Sequence, residues 1–316
     1  MRSLLKIIFF TTFFSFLTSC RPDDNTTVIE NRPFPEVYEE DETEIVNYLK
    51  TNYIEFDADN NATVTKIPEG GTQTSIWDQY SPDGGLTFPS ITVKNDARVS
   101  LATDGRVDDE VDYKLFYIKL NQGGGVTPKS VDSTLVAYRG WNMSNVVFDE
   151  NQSGTWFSYP NPNSSISGFR QILKEISTEV SNTVNPDGSV TRNDFGNIIV
   201  FIPSGLAYFS ASRTNIPAYS PIVFQIKLFS VRERDHDGDK VLSKYEDLNN
   251  DNDYFNDDTD GDKIPDFLDM DDDADGFLTK REIQINTNGV ITYYPFDLIP
   301  TCPNSSMKKH LDSSCN

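Results

Sequence analysis

The stretch Leu135-Val136-Ala137-Tyr138 begins the region that decides the fold, which runs from Asp132 to Val231. This apolar run predicts a strand, and Arg139-Gly140 closes it. Next comes Val146-Val147-Phe148-Asp149, in which three apolar residues precede an acidic one. Further along, apolar residues recur at the i, i+3, i+4, i+7 spacing of a helix that turns one stripe toward a core. These residues are Phe169, Ile172, Leu173 and Ile176.

Two more strands follow the predicted helix. One is an apolar run that ends in Ile202-Pro203-Ser204-Gly205-Leu206-Ala207-Tyr208, and a loop holding Ile216-Pro217 comes after it. The last strand runs from Ile222 to Leu228 and carries Ile, Phe, Ile and Leu at alternate positions. Because alternate side chains of a strand point to the same face, we predict that this set buries one face of a sheet.

The order of these motifs resembles that of the FKBP-type peptidyl-prolyl isomerases over about a third of the chain. Each motif is weak alone, but the set in this order is specific. The resemblance implies an α+β fold in which a curved antiparallel sheet wraps over one short helix, with an aromatic pocket between them. The motifs are Tyr138-x-Gly140, Phe148-Asp149, Ile166-x-Gly168-Phe169, Ile202-Pro203-Ser204-x-x-Ala207-Tyr208, and Ile216-Pro217 with Ile222-Val223-Phe224.

By the same resemblance, the pocket is the active site, and catalysis there needs neither a nucleophile nor a cofactor. Asp149 is expected beside the twisted carbonyl of the substrate. The Ile166 N–H and the Tyr208 hydroxyl would hold the flanking carbonyls, and Trp156 or Phe157 would add a further wall. The residues that the resemblance places around the pocket are Tyr138, Phe148, Phe169, Tyr208, Ile216 and Phe224.

Two features depart from the family pattern. Phe169 stands where the family usually has a Trp at the pocket floor. The segment from Ser177 to Phe195, with a turn at Asn185-Pro186-Asp187-Gly188, is longer than the usual connection and would cover or extend the substrate groove. Alternating Phe, Ile and Tyr residues also fit a plain core. An FKBP fold that binds proline segments without efficient catalysis is therefore an alternative.

The chain is strongly acidic, with a net charge of −22 over 316 residues. This length suggests two or three domains with enough chain to bury a core. Nucleic-acid binding would require a basic face, so we predict no nucleic-acid partner. The charge is concentrated, because residues 235–282 hold 18 acidic and 5 basic side chains.

The end of the acidic segment, which we bound at residues 232–284, fits the EF-hand calcium loop. Acidic residues stand at positions 1, 3 and 5, Gly276 at position 6 and a Glu at position 12, which suits a hard cation that takes oxygen ligands. The backbone carbonyl at position 7 belongs to Phe277. The predicted ligands are Asp271, Asp273, Asp275, Phe277 and Glu282.

Two poorer loops precede it. The first has Asp235, Asp237 and Asp239 with Ser243 and Glu246, and Lys240 stands at the Gly position. The second has Asp258, Asp260 and Asp262, resembles a thrombospondin type 3 repeat, and has Lys263 where Gly is usual. We predict that the three loops form one rod ordered by structural Ca²⁺, since Mg²⁺ demands tighter octahedral geometry. A solvated acidic run that binds only screening ions is the alternative.

The amino-terminal residues have the pattern of a secretory signal, with Arg2 and Lys6 before the apolar run Ile7–Leu17. That run is shorter than the ~20 residues of a membrane-spanning helix. It ends in Leu17-Thr18-Ser19-Cys20, which resembles a lipobox and implies a signal peptide over residues 1–20 with a lipid on Cys20. An ordinary signal peptide, or one transmembrane helix with a cytoplasmic stub, is the alternative. We predict a protein anchored to the outer membrane by lipid alone, facing the periplasm or the outside.

The remaining segments carry no recognisable chemistry. Residues 21–36 are predicted to be a tether, and residues 37–125 a small accessory domain with a helix from Val37 to Tyr53 and a strand from Tyr113 to Leu120. The isomerase-like domain covers 126–231, and a polar tail covers 285–316.

The tail holds two of the three cysteines, Cys302 and Cys315. They either pair in an oxidising compartment or stay free, and we favour the disulfide. We expect His310 at the surface, because two histidines are too few for a zinc site to be a good hypothesis.

These features together predict a membrane-tethered peptidyl-prolyl cis-trans isomerase with a calcium-stiffened extension. Its partners would be proline-containing segments of exported or outer-membrane proteins, whose folding prolyl isomerisation can limit. Two alternatives stay open. One is a non-catalytic binding module or chaperone with the same fold, and the other is a surface adhesin in which the calcium rod is the functional part.

Overall fold

A six-stranded sheet forms the centre of the molecule in our computed structural model, which describes residues 30–97, 107–160 and 165–315. The predicted signal peptide, Cys20 and the tether up to residue 29 lie outside the described residues. The helices are α1 (Phe34–Thr51), α2 (Ile76–Tyr80), α3 (Ser167–Ile172) and α4 (Thr279–Glu282). The strands are β1 (Asn52–Phe56), β2 (Ala62–Lys66), β3 (Ser90–Val93), β4 (Tyr113–Asn121), β5 (Ser133–Asn142), β6 (Val147–Ser158), β7 (Ser181–Val184), β8 (Val190–Asn193), β9 (Gly196–Ile202), β10 (Ile222–Arg232), β11 (Gln284–Thr287) and β12 (Val290–Tyr293).

The strands of the central sheet lie in the order β3-β4-β9-β10-β5-β6, and every neighbouring pair is antiparallel. Three separate antiparallel hairpins, β1–β2, β7–β8 and β11–β12, complete the strands of the described residues. This mixed architecture of helices and antiparallel sheets agrees with the predicted fold class. Within the described ranges, no helix has both the length and the apolar character needed to cross a membrane.

One face of the sheet packs against α3 and forms the larger core. Phe169 and Ile172 of α3 meet alternate residues of the two central strands in this core. The predicted face of the last strand is confirmed, because its alternate residues all lie here. The buried residues that β9 and β10 contribute are Ile198, Val200, Ile202, Ile222, Phe224, Ile226 and Leu228.

The amino-terminal part of the chain covers the opposite face of the same sheet. Ile45 and Leu49 of α1 pack there with Phe201 of β9 and Val223 of β10. With both faces covered, all seven residues of β9 are buried, which explains its unbroken apolar run. The turn between β1 and β2 is tied down by Gln225, whose side chain accepts the Ala62 N–H at 2.8 Å and donates to the Asn60 carbonyl at 2.6 Å.

The division that we placed at residue 125 does not separate two sheets. Strand β4, assigned to the accessory domain, pairs with β9, and β3 adds to its other edge. The described residues from 32 to 315 form one compact unit. The sequence pattern of β4 identified a strand but not its neighbour, because strand pairing depends on contacts distant along the chain.

A buried carboxylate fastens α1 to the loop after β9. Asp41 is 1% exposed, and its Oδ2 accepts hydrogen bonds from the Ser204 N–H and the Ser204 hydroxyl, both at 2.7 Å. Nearby, Phe34 stacks on Phe209 with ring centroids 4.1 Å apart. Because Tyr208 lies between these anchored residues, α1 fixes the position of that tyrosine.

Asp41 should make the stability of the fold depend on pH. Burial raises the pKa of Asp41 to about 6, although the Ser204 hydrogen bonds oppose the shift. An aspartate in an unfolded chain has a pKa of ~4, so the folded state holds this proton more tightly. The stability that protonated Asp41 contributes is therefore fully present below pH ~4 and is lost as the pH rises through ~6. As the pH rises through this range, the free energy of unfolding of Asp41→Asn should increase relative to that of the wild type by on the order of 1–3 kcal/mol.

Urea unfolding in calcium-containing buffer, compared between the two proteins at several pH values, measures this difference. Asp41→Ala is the matched control, because it leaves the Ser204 N–H buried without an acceptor and should cost ~1–3 kcal/mol. If the difference in free energy of unfolding between Asp41→Asn and the wild type stays constant with pH, the raised pKa of Asp41 is contradicted.

The acidic segment and the tail share one small core and are not separate parts. Val241 of the acidic segment packs with Ile283 and Ile299, and Tyr245 stacks on Phe296 with ring centroids 4.3 Å apart. Apolar residues on both sides of the division that we placed at residue 284 therefore fill the same core.

The tail is also closed by the disulfide that we favoured, between Cys302 and Cys315. Our expectation for His310 is wrong, since its side chain is buried. The ring lies near that of Phe296, with centroids 6.5 Å apart, and burial lowers the His310 pKa to about 4. A hydrogen bond from the Lys309 N–H to the Pro300 carbonyl, at 2.9 Å, holds the short turn that carries His310 against the start of the tail's last loop.

This carboxy-terminal part packs against the domain of the central sheet and is not a free rod. Val131, just before β5, forms a cluster with Tyr254 and Phe267 of the acidic segment. His236 Nε2 lies 2.9 Å from the Tyr159 carbonyl oxygen. An extended rod would leave these aromatic side chains in water, so the burial of apolar surface favours packing.

Candidate functional site

Aromatic side chains from β5, β6, α3 and β10 meet where the resemblance puts a pocket. The Phe224 ring centroid lies 5.2 Å from that of Phe169, 5.4 Å from Phe148 and 6.0 Å from Tyr138. All of these contacts are edge-to-face, the arrangement that aromatic pairs prefer. Phe169 and Phe224 are buried, whereas Phe148 and Tyr138 are half-buried. The cluster therefore has a dry floor and a more open rim.

The register of the sheet brings these rings together. Gly140 of β5 pairs with Asp149 of β6 on one side and with Phe224 of β10 on the other. A Cβ atom at Gly140 would lie 2.6 Å from ring atoms of both Phe148 and Phe224. Only a glycine lets these two rings meet across the middle strand.

A hydrogen bond at the rim joins the polar members of the cluster. The Tyr138 hydroxyl donates to Asp149 Oδ2 at 2.9 Å. Burial, together with the hydrogen bond and charge of Asp149, raises the Tyr138 pKa to about 12, so the phenol remains a donor at physiological pH. Asp149 itself is exposed at the rim. The pair therefore presents an oriented carboxylate beside an apolar box.

The other residues implied by the resemblance lie around the same core. Ile216 is buried, while Ile166 and Tyr208 are half-buried and pack against the cluster. The Arg213 guanidinium stands 5.3 Å from the Tyr208 ring centroid. Burial raises the pKa of Tyr208, and Arg213 opposes the shift. Neither the Ile166 N–H nor the Tyr208 hydroxyl donates a hydrogen bond to another residue in the described part of the chain.

Phe157, and not Trp156, forms the further wall. The Phe157 ring centroid lies 5.6 Å from that of Phe169 and 5.9 Å from that of Tyr138. Consecutive residues of a strand point to opposite faces, so Trp156 turns away from the cluster. Its side chain is exposed, and the Arg232 guanidinium stands 4.5 Å from its ring centroid.

The long connection after α3 forms the β7–β8 hairpin at some distance from the rim. At its base, the Glu179 N–H donates to the Phe229 carbonyl at 3.2 Å. Phe229 and Phe224 are ~17 Å apart along an extended strand. The hairpin thus starts at the other end of β10, and this position does not support our expectation that it covers the groove.

The carboxylates of the third acidic loop converge as the EF-hand pattern predicts. Oxygens of Asp271, Asp273 and Asp275 lie within 4.8 Å of one another. Glu282 is buried, and neither of its carboxylate oxygens has a hydrogen-bond partner among the described residues. Burial and the charges of Asp273 and Asp275 raise the Glu282 pKa to about 8. The loop turns at Gly276 with a φ of +91°, and the Phe277 side chain beyond it is exposed.

The first loop has the same character. Oxygens of Asp235, Asp237 and Asp239 lie within 4.8 Å of one another. Glu246 is buried, with both carboxylate oxygens unpaired in the part of the chain that the structure describes. Lys240 adopts a φ of +86°, so the loop makes the required turn despite the missing glycine.

The second loop is more weakly built. Oxygens of Asp258, Asp260 and Asp262 also lie within 4.8 Å of one another, but these residues are half-buried or exposed. The two Asp258 oxygens accept the backbone N–H groups of Gly261 at 2.8 Å and Lys263 at 3.0 Å. Its carboxylates therefore depend less on a cation than those of the other loops.

The oxygens of the first and third loops fit a hard divalent cation. Ca²⁺ takes six to eight oxygen ligands at ~2.3–2.6 Å, so its ligand atoms lie within ~5 Å of one another. A buried ionised carboxylate without a partner costs several kcal/mol, which a bound cation offsets. Asp272 was absent from our predicted ligands, yet it is buried with both carboxylate oxygens unpaired among the described residues. It occupies position 2 of the EF-hand pattern, which supplies no ligand, so the pattern contained no signal for it.

Similar solved structures include several FKBP-type isomerases. FkpA from Escherichia coli is 27% identical, with a TM-score of 0.30 over 37% of this chain and 48% of that one. A peptidyl-prolyl cis-trans isomerase from Pseudomonas syringae pv. tomato is 16% identical, with a TM-score of 0.34 over 65% of this chain and 99% of that one. The N-terminal domain of FKBP42 from Arabidopsis thaliana is 15% identical, with a TM-score of 0.31 over 40% and 98%. The chain thus spans about half of FkpA.

The carboxy-terminal part matches a different family. Residues 236–309 match the family model described as BamM C-terminal. The match extends through both the acidic segment and the tail, in agreement with the core that they share. No curated protein matches the chain.

Proposed function

We propose that this protein is a peptidyl-prolyl cis-trans isomerase that acts on X-Pro bonds of exported or outer-membrane proteins and assists their folding. The observation that carries the proposal is the aromatic box around Phe224, with the hydrogen bond from Tyr138 to Asp149 at its rim. The motif order that resembles the FKBP family leads to the same side chains.

The box would act by binding the transition state more tightly than the substrate. Resonance gives a peptide bond a rotation barrier of ~18–20 kcal/mol, and X-Pro bonds exchange between cis and trans in roughly tens to hundreds of seconds. A twisted amide has lost much of the charge separation of the planar form, so a dry site favours it. Enclosure by Phe169, Phe224 and Phe148 therefore lowers the barrier without covalent chemistry.

The polar groups at the rim would hold the substrate in register. Asp149, oriented by Tyr138, lies beside the carbonyl that turns. The Ile166 N–H and the Tyr208 hydroxyl donate to the carbonyls on either side of the proline. These contacts fix the flanking chain while one amide rotates inside the box, which is how positioning contributes to the rate.

Acceleration of proline-limited refolding by the chain from Arg21 onward, which keeps every described residue, tests the proposal. We expect a catalytic amount of the protein to speed the slow phase of a client with a native cis-proline and to leave its fast phases unchanged. A matched amount of an unrelated acidic protein is the control. A slow phase that keeps its rate at all concentrations would overturn the proposal.

A second candidate is a binding module that holds proline-containing segments with little turnover. Phe169 favours it, because a phenyl ring gives the floor less apolar surface than the Trp usual in the family. Tight binding of unfolded clients without any change in their slow refolding phase would identify this function.

The acidic segment would be a structural calcium-binding extension, supported by the unpaired buried carboxylates of its first and third loops. We further propose that the protein is associated with the bacterial outer membrane, anchored by a lipid on Cys20. The match of residues 236–309 to the BamM C-terminal family supports the location, and the lipobox-like stretch at Cys20 supports the anchor.

A further inference from the structure

The first and third acidic loops meet at a buried group of carboxylates that belongs to neither loop alone. One oxygen each of Asp239, Glu246 and Asp272 lies within 4.8 Å of the other two. Their side chains are 0%, 3% and 1% exposed, respectively. Asp239 and Glu246 come from the first loop, and Asp272 comes from the third. A set of this kind joins segments that are separated by the whole second loop.

Within the part of the chain that the structure describes, most oxygens of this group have no hydrogen-bond partner. Both oxygens of Glu246 and of Asp272, and Oδ2 of Asp239, are unpaired among the described residues. The other Asp239 oxygen accepts the Val241 N–H at 2.8 Å. The Thr279 hydroxyl accepts the backbone N–H of Asp272 at 3.5 Å, and neither carboxylate oxygen of Asp272 is paired among the described residues. Lys240, the nearby cation of the first loop, pairs with Asp235 instead.

Three carboxylates so close together and so deeply buried require a compensating charge. Each ionised group would cost several kcal/mol if left unpaired, and their mutual repulsion adds to that cost. A spacing within 4.8 Å is what oxygens around one Ca²⁺ ion have, since the ligand distances are ~2.3–2.6 Å. The group shares Asp239 and Glu246 with the predicted ligands of the first loop, but it adds Asp272 of the third loop and excludes Asp235 and Asp237.

We propose that Asp239, Glu246 and Asp272 bind a divalent, oxygen-preferring cation of the Ca²⁺ class, which ties the first loop to the third. The proposal rests on calcium binding by the loops, which is part of the proposed function. Asp239 and Glu246 serve both this ion and the ion of the first loop, so the two sites share these two carboxylates. Occupancy of one site pre-orders Asp239 for the other, and the two loops load cooperatively.

The number of Ca²⁺ ions bound per chain, measured by equilibrium dialysis, tests the shared site. We expect Asp272→Ala to bind one ion fewer than the wild type and to lose cooperativity between the remaining ions. Asp251→Ala is the matched control, because Asp251 is exposed, lies in the same acidic segment and outside every carboxylate group described above, and bonds to the Asp253 N–H at 2.7 Å and to Asn256 at 2.8 Å. It should bind as many ions as the wild type.

Asp272→Asn keeps the shape of the side chain and one oxygen ligand, so it decides the matter if Asp272→Ala fails to fold. We expect it to lower the Ca²⁺ affinity of one class of binding site by about tenfold or more. A tenfold loss corresponds to ~1.4 kcal/mol of binding free energy. Wild-type stoichiometry and affinity in the folded variants would overturn the shared site while leaving the loops as calcium sites. A wild-type protein that binds no Ca²⁺ would instead overturn the calcium-binding extension itself, and the shared site with it.

Discussion

Removal of Ca²⁺ is expected to unfold residues 235–283 while the central sheet stays folded. Among the described residues, the apolar clusters that hold the acidic segment are small, one around Val241 and one around Tyr254 and Phe267. Neither core of the sheet contains a side chain from this segment. An ion present at ~1,000 times its Kd adds about 4 kcal/mol of stability. Since whole domains are stable by only ~5–15 kcal/mol, losing even one ion removes a large share.

Hydrogen exchange in calcium and in chelator measures this effect segment by segment. Protection should disappear in chelator over 235–283 and persist in the buried strands β9 and β10. Refilling with Mg²⁺ is the control, and it should restore protection poorly because Mg²⁺ demands near-octahedral geometry and keeps several of its waters. Equal protection of the acidic segment in both buffers would mean that its carboxylates hold protons and not cations.

The aromatic cluster could be expected only through the resemblance of the ordered motifs to the FKBP family, because periodicity and composition do not assign a pocket. Gly140, two residues after Tyr138, lies where the rings of Phe148 and Phe224 meet across the middle strand. The alternation of apolar residues along β10 predicted the face of the sheet on which Phe224 lies. The choice between Trp156 and Phe157 needed the register of β6 against β5, which pairs Phe157 with Thr134. Register depends on the turn and its bulges, and composition does not reveal it.

The arrangement of the remaining parts could not be predicted, because it depends on contacts between distant segments. The apolar pattern of β4 fits a strand of any sheet, and the covering of β9 by α1 becomes visible only when both faces are seen buried. Asp41 appears in the sequence as one acid in an acidic helix, although Ser204 lies 163 positions away. Asp272 likewise appears as one of three consecutive aspartates. Its difference from its neighbours is burial against the first loop.

Loss of the Asp149 carboxylate is expected to have the largest effect on catalysis. In Asp149→Ala the aromatic box stays closed, because Asp149 is exposed and none of the ring contacts involves it. A hydrogen bond to a charged group contributes ~1.5–3 kcal/mol. If Asp149 acts on the turning amide, kcat/KM for a proline peptide should fall by about 10- to 150-fold. Binding of an unreactive proline segment should change much less.

Glu150→Ala is the matched control for this loss, since Glu150 is the next acid on β6, points to the other face and lies 3.5 Å from Arg139 Nε. It carries the same change of charge and should retain wild-type kcat/KM. Tyr138→Phe removes only the hydroxyl that orients Asp149 at 2.9 Å, so its loss of rate should fall between the other two variants. Equal activity in Asp149→Ala and Glu150→Ala would show that the apolar box alone lowers the barrier. The rim carboxylate would then serve only to hold Tyr138 in place over Phe224.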